Sequence, residues 1–125
     1  MSEVELGLAI IATINAAIRF SVPITLGALS GLLSERSGIV NIGIEGMLLM
    51  SAFTGFMANV FLSRPDVPDA LQAGPVRLTL ALVVALITGG LMSLLHGVLS
   101  IQYKVDQIIS GTVLNILAVG LTGYF

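Results

Sequence analysis

Four polar side chains stand among apolar neighbours: Asn41 and Glu45 in one hydrophobic run, Thr112 and Asn115 in another. Amides and hydroxyls of this kind form hydrogen bonds rather than covalent intermediates, and Asn15, Asn59 and Ser110 belong to the same class. Asn41 and Glu45 are four residues apart, so they share a face if their run is helical. Glu45 differs in scale from the amides, because a carboxylate among apolar residues needs a partner, a proton or water. Catalytic chemistry has little to build on. There is no cysteine, the single histidine, His96, cannot make a metal site alone, and no GxxxxGK[ST] phosphate loop is present. Glu35 and Glu45 do not make a working acid pair, being separated by a break and set at different depths. No catalytic residue, metal or cofactor is therefore assigned.

The elements that must position these residues follow from composition. The chain has 125 residues, 56% of them hydrophobic and 10% charged, with a mean hydropathy of +1.06. A water-facing surface needs about 25% charge, so a soluble domain is excluded. The charges gather at the N-terminus and in short breaks, which is the pattern of an all-α integral membrane protein. The apolar runs predict about four transmembrane helices over 6–33, 39–62, 76–101 and 108–125, with the lipid bilayer as their surroundings. A net charge of −2 and no basic tail give nothing that would attract nucleic acid. The acidic start lacks the basic region of a secretory signal, so the first run is expected to be retained.

Run 6–33 contains Arg19 and Pro23 and would reach roughly 42 Å as a helix, beyond the roughly 30 Å hydrocarbon core. It is expected to kink, tilt or divide just before Pro23. Two readings stand for its first half: a kinked span with Arg19 snorkelling or paired, or a surface helix leading into a span from Phe20. Gly27 and Gly31 are spaced for close helix approach. In run 39–62, Gly43 and Gly46 flank Glu45, while Ser51, Gly55 and Asn59 make a small and polar face at four-residue steps. The Ser63–Pro75 stretch holds three prolines and mixed charge and reads as an aqueous loop. Run 76–101 carries Ala81, Ala85, Gly89, Ser93 and Gly97 as a stripe of small residues, a pattern for tight helix packing in lipid. His96 beside that stripe is read as a structural, hydrogen-bonded histidine, with a functional role as the alternative. The last run closes on no polar flank, which fits a chain cut short relative to a longer protein.

Two stretches carry a resemblance. Ser-Glu-Arg-Ser-Gly-Ile-Val-Asn-Ile-Gly-Ile-Glu-Gly-Met at Ser34–Met47 and Asp-Gln-Ile-Ile-Ser-Gly-Thr-Val-Leu-Asn at Asp106–Asn115 resemble the permease subunits of bacterial ABC importers for nucleosides and simple sugars, within the branched-chain amino acid and ribose permease family. Pro23 followed by Leu26, Gly27 and Ala28 is also similar to that family. The resemblance implies the N-terminal part of a larger polytopic permease in the bacterial inner membrane. It implies as partners a second permease subunit, ATPase subunits that supply the hydrolysis, and an extracytoplasmic substrate-binding protein. It also places the Ser34 and Gln102 breaks on the cytoplasmic side, an orientation that the even Arg and Lys distribution leaves open. Permeases of this kind are around twice this length, and their later cytoplasmic ATPase-contacting helix has no counterpart here.

Taken with that resemblance, Asn41, Glu45, Thr112 and Asn115 are candidates for the solute pathway, since an uncharged polar cargo needs neutral hydrogen-bonding groups on spans. Interhelical bonding, worth about 0.6 kcal/mol each in lipid, is the alternative. Gly27, Gly31, Gly43, Gly46, Gly89, Ser93 and Gly97 are assigned to helix packing. For Glu45, structural pairing with Arg36 or Arg19 is preferred to a proton relay. The competing function is a small helical membrane scaffold without transport activity.

Overall fold

The computed structural model describes residues 2–125. Its order is α1 (Glu3–Arg36), α2 (Ile44–Leu62), α3 (Asp69–Gln72), α4 (Gly74–Ile101) and α5 (Gln107–Tyr124). The protein is all-α, and α1, α2, α4 and α5 are each long and apolar enough to cross a membrane.

Helix α1 begins earlier than the apolar pattern alone indicates because Ser2 and Glu5 form a reciprocal capping box. It ends later, on Arg36, a cation well placed against the C-terminal helix dipole. Its 34 residues amount to about 51 Å at 1.5 Å each. The helix does not divide at Pro23. Around that residue, the Ser21 and Thr25 hydroxyls donate to the carbonyls of Ile18 and Ser21 at 2.8 and 2.7 Å, keeping their polar atoms satisfied inside the helix.

The chain turns after α1 at Gly38, whose φ of +83° suits a residue without Cβ. Helix α2 starts at Ile44 rather than Ile39, so Asn41 and Glu45 do not share a helix face. The reason is local. Asn41 Oδ1 accepts from Gly43 N at 3.0 Å, closing an Asx turn that competes with helix. In the loop after α2, Gln72 Nε2 donates to the carbonyl of Val67 at 2.6 Å and holds the short α3. Pro75, in the first turn of α4, has no N–H to leave unpaired.

Helices α2, α4 and α5 pack together, while α1 lies mainly against α2. The α2–α4 contact pairs one small-residue face with the other. A Cβ built on Gly55 would lie 3.1 Å from Ala85 Cβ, and one on Gly89 would lie 2.7 Å from Ser51 Oγ. Thr54 donates to Thr88 across the same seam at 3.0 Å. Met47, Met92 and Leu114 form the core, with Met50 against them. Large apolar side chains point outward on every long helix: Phe20, Phe56, Leu86 and Ile116 are 64–75% exposed. An apolar exterior of this extent is a surface for lipid or for further protein.

Candidate functional site

Polar groups converge where the unwound Ile39–Gly43 segment meets the first half of α5. Gly43 is the N-cap of α2 and makes no side-chain cap. The orphan N–H groups of a helix start must be satisfied by something, and here a different helix supplies the acceptor. Asn115 Oδ1 accepts from Gly46 N at 2.7 Å, and its Nδ2 donates to the carbonyl of Ile42 at 3.0 Å. One side chain of α5 thus caps α2 and ties down the residue before it. Gln107 adds a third link, its Oε1 accepting from Val40 N at 2.6 Å.

This bracket works only because the backbones come very close. A Cβ on Gly46 would lie 2.8 Å from Asn115 Cα and 2.9 Å from the Leu114 carbonyl. A Cβ on Gly111 would meet Gly43 N at 2.8 Å, and one on Gly43 would meet Gly111 Cα at 3.3 Å. Gly27 and Gly31 make looser contacts, at 3.5 and 3.4 Å from side-chain carbons of Leu48 and Ile44.

Two clefts flank the bracket. The smaller, about 280 Å³, is lined by Glu45, Gly46, Leu49, Asn115, Ile116 and Val119. Glu45 is exposed and lies in the first turn of α2, where a carboxylate complements the positive end of the helix. Amide side chains, rather than the expected Glu45–arginine pairing, hold the Ser34–Gly46 segment to its neighbour. The larger cleft, about 570 Å³, lies between the end of α1, the unwound segment and the second half of α4, and Asn41, Ser93, His96, Gly97 and Gln102 line it. Thr112 belongs to neither. It is exposed, and its hydroxyl donates to the carbonyl of Ile108 in its own helix at 2.8 Å.

His96 is 2% exposed, and its Nδ1 lies 3.1 Å from Ser110 Oγ, joining α4 to α5. Its Nε2 and the buried Ser100 Oγ one turn on have no hydrogen-bond partner among the described residues. Ser100, Gln107 and Gly111 were not among the sequence-based candidates. Gln107 and Gly111 do lie in the second of the two stretches that carry the resemblance. No group of three or more His, Cys, Asp or Glu residues that could hold a metal occurs among the described residues.

Residues 13–125 match the family described as the permease component of branched-chain amino acid transport systems. The chain belongs to this permease family. With its four membrane-length apolar helices, it is a multi-pass membrane protein. It is 38% identical over 109 residues to a guanosine ABC transporter permease protein of Bacillus subtilis, covering 87% of this chain and 32% of that protein. It is 34% identical over 102 residues to a nucleoside ABC transporter permease protein of Lactococcus lactis, covering 82% of this chain and 30% of the relative. A putative glucose ABC transporter permease protein of Haloferax volcanii is 31% identical over 112 residues, covering 90% of this chain and 30% of its own length. The chain thus spans about a third of the length of these curated relatives, a larger shortfall than the resemblance implied. No solved structure matches. In this permease chain the two resembling stretches, Ser34–Met47 and Asp106–Asn115, are the ones joined by the Asn115 and Gln107 hydrogen bonds.

Proposed function

We propose that this chain forms the N-terminal part of a permease subunit in an ATP-driven importer for nucleosides or related simple sugars, located in the bacterial inner membrane. The observation that carries this reading is the unwound Ile39–Gly43 segment, held beside a cleft by Asn115 and Gln107 in a member of a permease family. This segment is part of the non-helical linker between α1 and α2, and backbone N–H and C=O groups outside a helix can face a cavity rather than each other, as solute sites in transporters use them. The guanosine, nucleoside and glucose permeases among the relatives support an uncharged, hydroxyl-bearing cargo.

In this reading ATP hydrolysis belongs to separate ATPase subunits, a second permease subunit completes the pathway, and an extracytoplasmic binding protein delivers the cargo. The Ser34 and Gln102 ends face the cytoplasm. Asn41 and Asn115 act on the cargo route in different ways: Asn41 offers its amide to the larger cleft, and Asn115 keeps the unwound segment in place. Residues 1–125 as a whole form transmembrane permease domain.

The test is uptake of radiolabelled guanosine by cells before and after deletion of the complete gene. Loss of uptake, restored by the gene supplied in trans, is the expected result. Unchanged guanosine and glucose uptake in the deletion strain overturns the assignment.

A further inference from the structure

Helix α1 carries polar groups that nothing else within the described residues serves. Arg19 stands at the middle of the apolar run 6–33, and α1 passes unbroken through Pro23 rather than dividing there. A tilt sets the charged ends of α1, with Glu3 and Glu5 at one and Arg36 at the other, at the two headgroup layers, and Arg19 is then at least about 20 Å of helix from either. One side chain cannot reach water from there. A guanidinium does not deprotonate, and a charge at that depth is costly unless it is paired.

The same face holds two more groups in want of a partner. Asn15 precedes Arg19 by about one helical turn and Pro23 follows it by about one. Proline has no N–H, so the Arg19 carbonyl loses the donor that a regular helix would give it, and the Ser21 and Thr25 hydroxyls donate elsewhere, to the carbonyls of Ile18 and Ser21. Asn15 and Arg19 are exposed, and their side chains make no hydrogen bond or ion pair among the described residues. With Ala12, Ala16 and Phe20 they line a hollow on α1 to which no other helix contributes. Small residues such as these alanines let a neighbouring helix come close. All seven carboxylates of the 125 residues lie at helix ends or in the breaks between helices, so none is level with Arg19.

We propose that the Asn15–Arg19–Pro23 face of α1 seats a later transmembrane helix of the same polypeptide, which brings an Asp or Glu to the depth of Arg19. The inference rests on the reading of the chain as the N-terminal part of a longer permease, and adds the contact that fastens α1 to the remainder. The occupant follows from charge and from size. A guanidinium fork is best met by a carboxylate, two N–H groups to two oxygens, and a lipid phosphate is out of reach at mid-membrane. The curated relatives are about three times as long as the chain, which leaves several spans of helix to pack, and among the described long helices α1 alone has no buried residue.

The test compares Arg19→Leu and Arg19→Lys in the full gene by the amount of polypeptide found in the membrane. Leucine separates the alternatives by sign. Removing a lone arginine from lipid relieves a cost and raises abundance, whereas removing one half of a pair leaves the carboxylate buried and unmatched. Arg19→Leu is expected to lower abundance severalfold and Arg19→Lys, which keeps the charge, to recover most of it. Arg19→Leu at or above wild-type abundance overturns the proposal, as does Arg19→Lys no better than Arg19→Leu. In a second measurement, photoreactive p-benzoylphenylalanine takes the place of Phe20, which lines the same hollow and is 70% exposed. Membranes are irradiated and the peptides joined to α1 are identified by mass spectrometry. A link within one polypeptide to a segment beyond Phe125 is expected. Links only to lipid, links only to another polypeptide, or no link at all overturn the proposal. A stop codon directly after Phe125 would fail the reading as part of a longer permease, whereas contrary results with a longer gene fail this inference alone, so the two failures are distinct.

Discussion

Gly46 donates its backbone N–H to Asn115 Oδ1 at 2.7 Å across 69 positions of sequence. A helix N-terminus is ordinarily capped by the residue just before it, but Gly43 has no side chain to do so, and α5 supplies the missing acceptor. Replacing Asn115 with alanine leaves both the Gly46 N–H and the Ile42 carbonyl without that partner. We expect a total loss of about 1–3 kcal/mol, most of it from the part-buried Gly46 N–H rather than the exposed Ile42 carbonyl, seen as a lower unfolding midpoint in detergent. A midpoint equal to wild type would show that α2 starts independently of α5.

The glycines divide into those that permit contact and those that do not. Gly46→Ala forces a methyl group to within 2.9 Å of backbone atoms of Leu114 and Asn115, and overpacking of this kind costs about 1–3 kcal/mol. Gly97→Ala meets nothing within 4 Å and gains helix propensity, about 1 kcal/mol at most. Thermal unfolding of the two purified variants should therefore shift in opposite directions.

Glu45 stabilises α2 through its place in the first turn, an effect of about 0.3–1 kcal/mol for a carboxylate near a helix N-terminus. Glu45→Gln is expected to lower stability slightly and Glu45→Lys more, because the second change reverses the sign of the interaction. Equal stability of the two variants would locate the role of Glu45 elsewhere.

His96 and Ser110 form the polar link between α4 and α5, at 3.1 Å. Ser110→Ala removes the partner of a buried nitrogen and should cost about 1–3 kcal/mol. Once His96→Leu has already removed that nitrogen, the serine substitution should cost less. A double-mutant cycle should give a coupling of about 0.5–3 kcal/mol, and strict additivity would mean the contact contributes nothing.

The long helices were legible because their apolar runs exceed what any soluble helix needs, and the two resembling stretches were legible as sequence. Their mutual contact was not, because nothing local in Asn115 says that its amide reaches Gly46 and Ile42. The start of α2 is not legible in sequence for a related reason: hydropathy continues through Ile39–Gly43, while the Asx turn at Asn41 and the cap from α5 decide the conformation. Small residues at four-residue spacing located the face of α4 that meets α2. Spacing cannot tell Gly89, which touches Ser51, from Gly97, which borders a cleft. The short α3 depends on Gln72 reaching back to Val67, a contact with no periodic signature.

A Cβ on Gly27 or Gly31 would meet only Ile44 and Leu48, so these two glycines mark where α1 lies against α2. None of the residues of α1 is buried, so most of its apolar surface is left for lipid or for further protein.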